Sequence, residues 1–251
     1  MSYTFDIAKV TSDCVAWIKS YAERANMRKV VIGISGGKDS YVAAALCCKA
    51  LGNDKVIGVL MPNNFQNDID DSYKVCKSLG IKYIEADING PYREFLKLAQ
   101  FAKHDKSIKI SLSEQARINI APRVRMTTLY MIAQSIGARV CGTGNLSEIT
   151  VGYCTKWGDM ASDFNPLANL TSIEVVAIGD YLNLDKSLVH KTPADGLSGM
   201  TDEQNLGISY MDIHKYIRGE DIDNTVRVLI ESRKNMSRHK NLPVESFKFC
   251  N

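Results

Sequence analysis

One junction constrains this chain more than any other. Residues 29–34 read Lys-Val-Val-Ile-Gly-Ile, an apolar, β-branched run of strand length with no polar alternation. A strand patterned in this way is buried on both faces, as in a parallel sheet covered by helices. It runs directly into Ser35-Gly36-Gly37-Lys38-Asp39-Ser40, and a helical pattern resumes over residues 39–51. A helix start carries unpaired N–H groups and partial positive charge, so a strand, glycine turn and helix in succession suit a phosphate. Gly36 and Gly37 let backbone amides approach ligand oxygens, and Ser35 and Ser40 add hydroxyl donors. The junction is not a Walker A loop: Ile32 stands where its first glycine belongs, and Asp39 follows the lysine. A carboxylate inside an anion site repels phosphate unless a divalent cation lies between them. Asp39 is therefore a candidate Mg2+ ligand. An ordinary strand–helix turn with Ser and Asp as helix caps is the plainer alternative, but caps account for one polar residue rather than the whole sequence.

The rest of the chain repeats the alternation. Apolar residues at steps of three or four predict a helix over residues 4–26, with Ile7, Val10, Cys14, Trp17, Ile18, Tyr21 and Ala25 on one face. Strands are expected at 55–60, 82–86 and 138–142, with helices at 68–79 and about 114–136. Strand and helix in alternation predict an α/β fold: a doubly wound, mostly parallel, Rossmann-like sheet in three α/β/α layers with right-handed crossovers. From 142 to 171 the chain is rich in Gly, Asn, Asp and Thr, and helical patterns return at 172–182 and 221–234. Residues 190–203 have no apolar periodicity and many turn formers, the pattern of a functional loop or lid. With no composition break, repeat or linker, residues 1–251 are expected to form a single domain.

Charge and cysteine usage exclude several classes. The 31 basic and 28 acidic residues give a net charge of +3, too balanced for a nucleic-acid-binding surface. No apolar run approaches the roughly 18 residues of a membrane span, and the first residues lack a signal-peptide pattern. The seven cysteines are odd in number and none are spaced C-x-x-C, so they read as reduced thiols of a cytoplasmic protein.

A second segment follows the fourth expected strand: Gly142-Thr143-Gly144-Asn145-Leu146-Ser147-Glu148. Strand C-termini face the ligand crevice of open α/β sheets. There Thr143 can donate to a phosphate or an adenine edge, and Glu148 can share a cation with Asp39. The sequence Ser-Gly-Gly-x-Asp-Ser resembles the pyrophosphate loop of the N-type ATP pyrophosphatases, which adenylate a substrate oxygen and release pyrophosphate. The stretch from Gly142 through Tyr153-Cys154-Thr155-Lys156-Trp157-Gly158-Asp159 to Asp163-Phe164-Asn165-Pro166 closely resembles the NAD synthetases. Residues 119–130, 192–207 and 237–244 match further motifs of that family in order, so the resemblance runs from about Val30 to about Val244.

The resemblance implies roles by position. Gly33, Ile34, Ser35, Gly36, Gly37, Lys38, Asp39, Ser40, Thr143, Ser172 and Ala194 occupy the family's ATP-binding positions, with Asp39, Ser35 and Lys38 catalytic. Asp39 and Glu148 would hold Mg2+. Arg123, Lys156, Asp163, His239 and Lys240 would contact deamido-NAD. Two positions depart from the family pattern: Ser172 stands where many members carry an ATP-binding lysine, and Ala194 where many carry Ser or Thr. Both put individual ATP contacts in doubt. The implied enzyme is a homodimeric ligase that adenylates the nicotinate carboxylate of deamido-NAD with ATP and amidates it with ammonia. Its products are NAD, AMP and pyrophosphate. One helix alone precedes the glycine loop, so ammonia rather than glutamine is the expected nitrogen source. A tRNA-modifying sulfur-transfer enzyme would need paired cysteines and a basic surface. A nucleotide-binding module without catalysis would not need both carboxylates. Tyr210 and the helix around it receive no role.

Overall fold

The computed structural model describes residues 3–63, 69–101, 111–192 and 201–248. At its centre is β1 (Val30–Gly33), whose first three residues are fully buried. It pairs in parallel with β2 (Val56–Leu60) on one side and β4 (Arg139–Cys141) on the other. Strand β3 (Lys82–Glu85) completes the parallel order β3-β2-β1-β4. The unalternated runs of β1 and β2 sit inside the sheet, as their patterning requires. All four residues of β3 are exposed, in keeping with its polar ends and its place at the edge.

Two helical layers cover the sheet. On one face lie α1 (Ile7–Arg24), capped by the Asp6 side chain, α2 (Lys38–Leu51) and α8 (Ser172–Tyr181). They enclose Ile18, Tyr41, Val42, Leu46, Val175 and Ile178 with the inward side chains of β1 and β2. Helix α2 is surrounded so completely that every residue from 40 to 47 is buried. On the other face Val31, Val59, Ile88, Val124, Ile132, Ala133 and Val140 pack together. Here the expected helix over 114–136 is two helices, α5 (Glu114–Ile118) and α6 (Ile120–Ser135). Pro122 explains the break: it has no N–H to donate back into the preceding turn, and it is tolerated in the first turn of a new helix. Helices α3 (Ile69–Leu79) and α4 (Asn89–Phe101) join β2, β3 and α5 in the chain; α4 has no counterpart in the sequence reading.

The second half adds helices rather than strands: the short α7 (Leu146–Val151), α9 (Lys186–Val189), α10 (Asp202–Leu206) and α11 (Tyr210–Arg218), and the long α12 (Asn224–Asn241). Val151, Leu206, Ile208, Tyr210, Ile213 and Ile230 form a separate small core among them. Residues 163–164 run beside β4, with Cys141 bridged in parallel to Phe164. Helix α12 extends beyond the expected 221–234 because its last turns are packed. Gly152, which ends α7 in a left-handed conformation (φ +68°), lies so close that an added Cβ would meet the Ser237 Cβ at 2.0 Å.

Candidate active site

The loop after β1 folds back onto the start of α2 through its own hydroxyls. The Ser35 amide donates to Ser40 Oγ (3.3 Å), Ser40 Oγ donates to the Gly37 carbonyl (3.0 Å), and the Gly37 amide donates to Ser35 Oγ (3.3 Å). Gly36 adopts φ +79°, and a Cβ there would meet the Asp71 Cβ at 2.9 Å and the Ser72 nitrogen at 3.0 Å. The glycine therefore sets how closely the loop approaches α3. A cleft of about 260 Å3 opens between this loop, the Thr143–Gly144 turn and α7; Cys154, Asp159, Met160, Asn165, Lys191, Thr192 and Asp202 line its remaining walls.

The chemistry concentrates at the root of α2. Lys38, though 4% exposed, sends its ammonium to Asp39 Oδ2 at 2.7 Å. Asn145 links the two candidate metal carboxylates: its side-chain amide donates to Asp39 Oδ1 (3.0 Å) and its backbone amide to Glu148 Oε2 (2.9 Å). These contacts are part of a capping box, with the Asn145 side chain accepting from the Glu148 amide. Burial first, and the Asp39 charge second, push the Glu148 carboxyl up to about 8. Burial alone would lower the Lys38 ammonium, but Asp39, Glu148 and Asp202 together raise it. Tyr210 closes this group from α11: its ring lies 5.4 Å from Lys38 Nζ, and its hydroxyl donates to Asp202 Oδ2 (3.0 Å). Burial also raises the Asp159 carboxyl, against the Thr155 amide that donates to it at 2.6 Å.

The donor set fits a hard divalent cation. Asp39 and Glu148 supply carboxylate oxygens, and desolvation first and the Asp39 charge second raise Glu148. Among the described residues no three metal-ligating side chains group together. Two carboxylates with phosphate oxygens and waters would complete the octahedral oxygen set that Mg2+ takes.

The implied dinucleotide contacts fall into two places. Arg123 donates to the Lys156 carbonyl (3.3 Å), and Lys156 Nζ donates to the His239 carbonyl (2.7 Å). Lys240 Nζ donates to the carbonyls of Gly152 (2.8 Å) and Cys154 (2.7 Å). Arg123, His239 and Lys240 thus hold the segment 152–158, which carries Lys156 and lends Cys154 to the cleft wall. Trp157 in that segment has φ +59° and is 56% exposed, with Lys156 Nζ 5.6 Å from its ring. Asp163 stands apart. Its carboxylate accepts from the Val140 amide (2.7 Å), and its carbonyl accepts from the Tyr21 hydroxyl (3.0 Å).

Thr143 and the loop residues Ser35, Gly37, Lys38, Asp39 and Ser40 line the cleft. Ser172 does not: it is buried in the first turn of α8, where its amide donates to Ser147 Oγ (3.1 Å). Ala194 lies outside the described residues. Asn145, Asp159, Asp202, Tyr210 and Lys191 belong to the site and had no assigned role from sequence. Asn145 and Asp159 lie inside quoted motifs, but no local pattern joins Tyr210 to Lys38.

A glycine loop and paired carboxylates at the carboxyl ends of parallel strands define a nucleotide-binding α/β enzyme. A family model described as NAD synthase matches residues 10–248. The chain belongs to the NAD synthase family, a group of ATP-binding ligases of NAD biosynthesis. It is 36% identical to the NH(3)-dependent NAD(+) synthetase of Thermococcus sibiricus, over 98% of this chain and 91% of the relative. It is 42% identical to the Pyrococcus furiosus enzyme of the same description, over 80% and 74%. Among solved structures it resembles an NMN synthetase from Francisella tularensis (TM-score 0.89, 30% identity, covering 98% and 100% of the two chains). It also resembles an NH3-dependent NAD synthetase from Campylobacter jejuni (TM-score 0.77, 28% identity, 98% and 100%).

Proposed function

We propose that this chain makes NAD from deamido-NAD, ATP and ammonia through an acyl-adenylate. The observation that carries the reading is the Lys38–Asp39–Asn145–Glu148 arrangement at the start of α2, behind the glycine loop. An oxygen of the nicotinate carboxylate attacks the α-phosphorus, and the bond from that phosphorus to the bridging β-phosphate oxygen breaks. Pyrophosphate leaves toward the cleft-lining loop residues Ser35, Gly37 and Ser40, where the helix start and Lys38 offset its charge. Ammonia then attacks the acyl carbon, loses a proton, and AMP departs. Asp39 and Glu148 would hold Mg2+, which supplies charge neutralisation on the phosphates. Arg123, Lys156, His239 and Lys240 supply cations and donors for the dinucleotide's anionic groups. Asp163 can accept from a ribose hydroxyl.

The reaction belongs in the cytoplasm; the six described cysteines, all free thiols, support this. A homodimer is in keeping with the outer face of α6, where Met126, Tyr130 and Met131 stand among Thr127, Gln134 and Ser135 and Met131 is 59% exposed.

The test is product analysis with ATP, MgCl2, deamido-NAD and ammonium chloride. Equal amounts of NAD, AMP and pyrophosphate are expected. Release of ADP and phosphate, or pyrophosphate release that requires tRNA, refutes the reading. A second reading is favoured by the higher TM-score to the NMN synthetase. The same carboxylate chemistry on nicotinate mononucleotide would give NMN. Relative kcat/KM for the two substrates decides between them.

A further inference from the structure

The cleft is poor in positive charge for a site that takes a triphosphate. Among the described residues lining it are four acids, Asp39, Glu148, Asp159 and Asp202, and two lysines, Lys38 and Lys191. Lys38 is committed: it is buried and bonded to Asp39, with Glu148 and Asp202 also acting on it. Lys191 is placed differently. Its ammonium lies 2.8 Å from Asp71 Oδ2, on an acid in the first turn of α3 that is not part of the cleft wall. The other oxygen of Asp71 takes Lys74 at 2.8 Å. Asp71 therefore keeps a cationic partner, Lys74, if Lys191 leaves.

Position gives the destination. The Asp71 Cβ is the nearest neighbour of the space beside Gly36, so the Lys191 ammonium lies next to the phosphate loop rather than deep under Thr143. Its side chain is 32% exposed and long enough to change partners. We infer that Lys191 is a phosphate-binding residue of this cleft, held by Asp71 until nucleotide arrives and then transferred to the phosphates that leave as pyrophosphate. Asp71 is the positioning residue that keeps the ammonium beside the loop. The inference rests on the adenylating reading above and assigns the terminal phosphates a partner besides the loop and Lys38.

The experiment is calorimetric titration of pyrophosphate, ATP and AMP, each with Mg2+, into four full-length proteins. These are the wild type, K191A, K191R and K191A/D71N. Melting curves confirm that each is folded. Lys191→Ala weakens pyrophosphate and ATP at least about tenfold, the lower end for a hydrogen bond to a charged group. AMP, which lacks the leaving phosphates, changes by less than about twofold, a difference of a few tenths of a kcal/mol. Lys191→Arg restores most of the pyrophosphate affinity, and adding Asp71→Asn to K191A changes nothing further. Pyrophosphate binding to K191A at wild-type strength, or equal losses for AMP and pyrophosphate, overturns the assignment. A wild-type protein that binds neither ATP nor pyrophosphate instead refutes the adenylating reading itself.

Discussion

The adjacent glycines of the phosphate loop answer to different demands, and substituting each with alanine separates them. Gly36 has φ +79°, where an L-residue costs roughly 1–2 kcal/mol. Its added Cβ would also lie 2.9 Å from the Asp71 Cβ, 3.0 Å from the Ser72 nitrogen and 3.2 Å from the Asp71 carbonyl carbon. Backbone cannot swing aside, and overpacking of this kind costs about 1–3 kcal/mol. Gly36→Ala should therefore lose about 2–5 kcal/mol of stability. Gly37 has φ −90° and ψ 163°, open to any residue, and its Cβ would meet only Ser35 Oγ at 3.4 Å. Its stability change should stay within about 0.5 kcal/mol. Gly37 lines the cleft and Gly36 does not, so Gly37→Ala should instead raise the KM for ATP. Urea melts of both variants, followed by ATP titration of the folded fraction, measure the contrast. Equal stability losses, or a larger loss at Gly37, would refute the reasoning.

Other expectations follow from single contacts. Asp39→Asn removes one carboxylate of the proposed cation pair and should abolish turnover with an unchanged far-UV circular dichroism spectrum, while the buried Lys38 ammonium, left without this partner, lowers the melting point; retained turnover removes Asp39 from that role. Tyr210→Phe keeps the ring beside Lys38 but loses the hydrogen bond to buried Asp202, so stability should fall by about 1–3 kcal/mol in a denaturant melt. Burial pushes the Glu174 carboxyl up, but Arg218, Tyr3 and the Thr171 amide more than offset it and hold the group below its ordinary value of 4.5. A depressed carboxyl contributes stability above that value and loses it as pH falls through the lowered one. Glu174→Gln should then cost about 3–5 kcal/mol at pH 7, with the two melting curves converging in acid below pH 4.5. A gap that is independent of pH would contradict this.

How far the sequence reached depends on the range of each interaction. Residues 29–40 declared both the central strand and the anion loop, because burial on both faces and helix-start chemistry are written in neighbouring residues. The family motifs likewise carried Thr143 and Glu148 to the cleft wall. Helix α4 went unseen, and none of its residues 89–98 is buried in the core. Pro122 was visible, yet its effect on a helix expected to be continuous was not drawn. Tyr210 and Lys191 were beyond local reading altogether. Each enters the site through a partner more than a hundred residues away, Lys38 for one and Asp71 for the other. Ser172 shows the reverse: alignment of register suggested a ligand contact, while burial at a helix start gives it a packing task.

The last turn of α12 has a consequence for how the enzyme is made. Lys240 holds the carbonyls of Gly152 and Cys154, Asn241 donates to the Ile149 carbonyl, and His239 receives Lys156. The strands and the glycine loop are all synthesised by residue 141. The segment carrying Lys156 gains these tethers only roughly a hundred residues later, several seconds to tens of seconds at ordinary rates of synthesis. The glycine loop is therefore translated well before the segment around Lys156 is tied down. A chain arrested short of residue 239 would lack every one of these tethers on the stretch from Ile149 to Lys156.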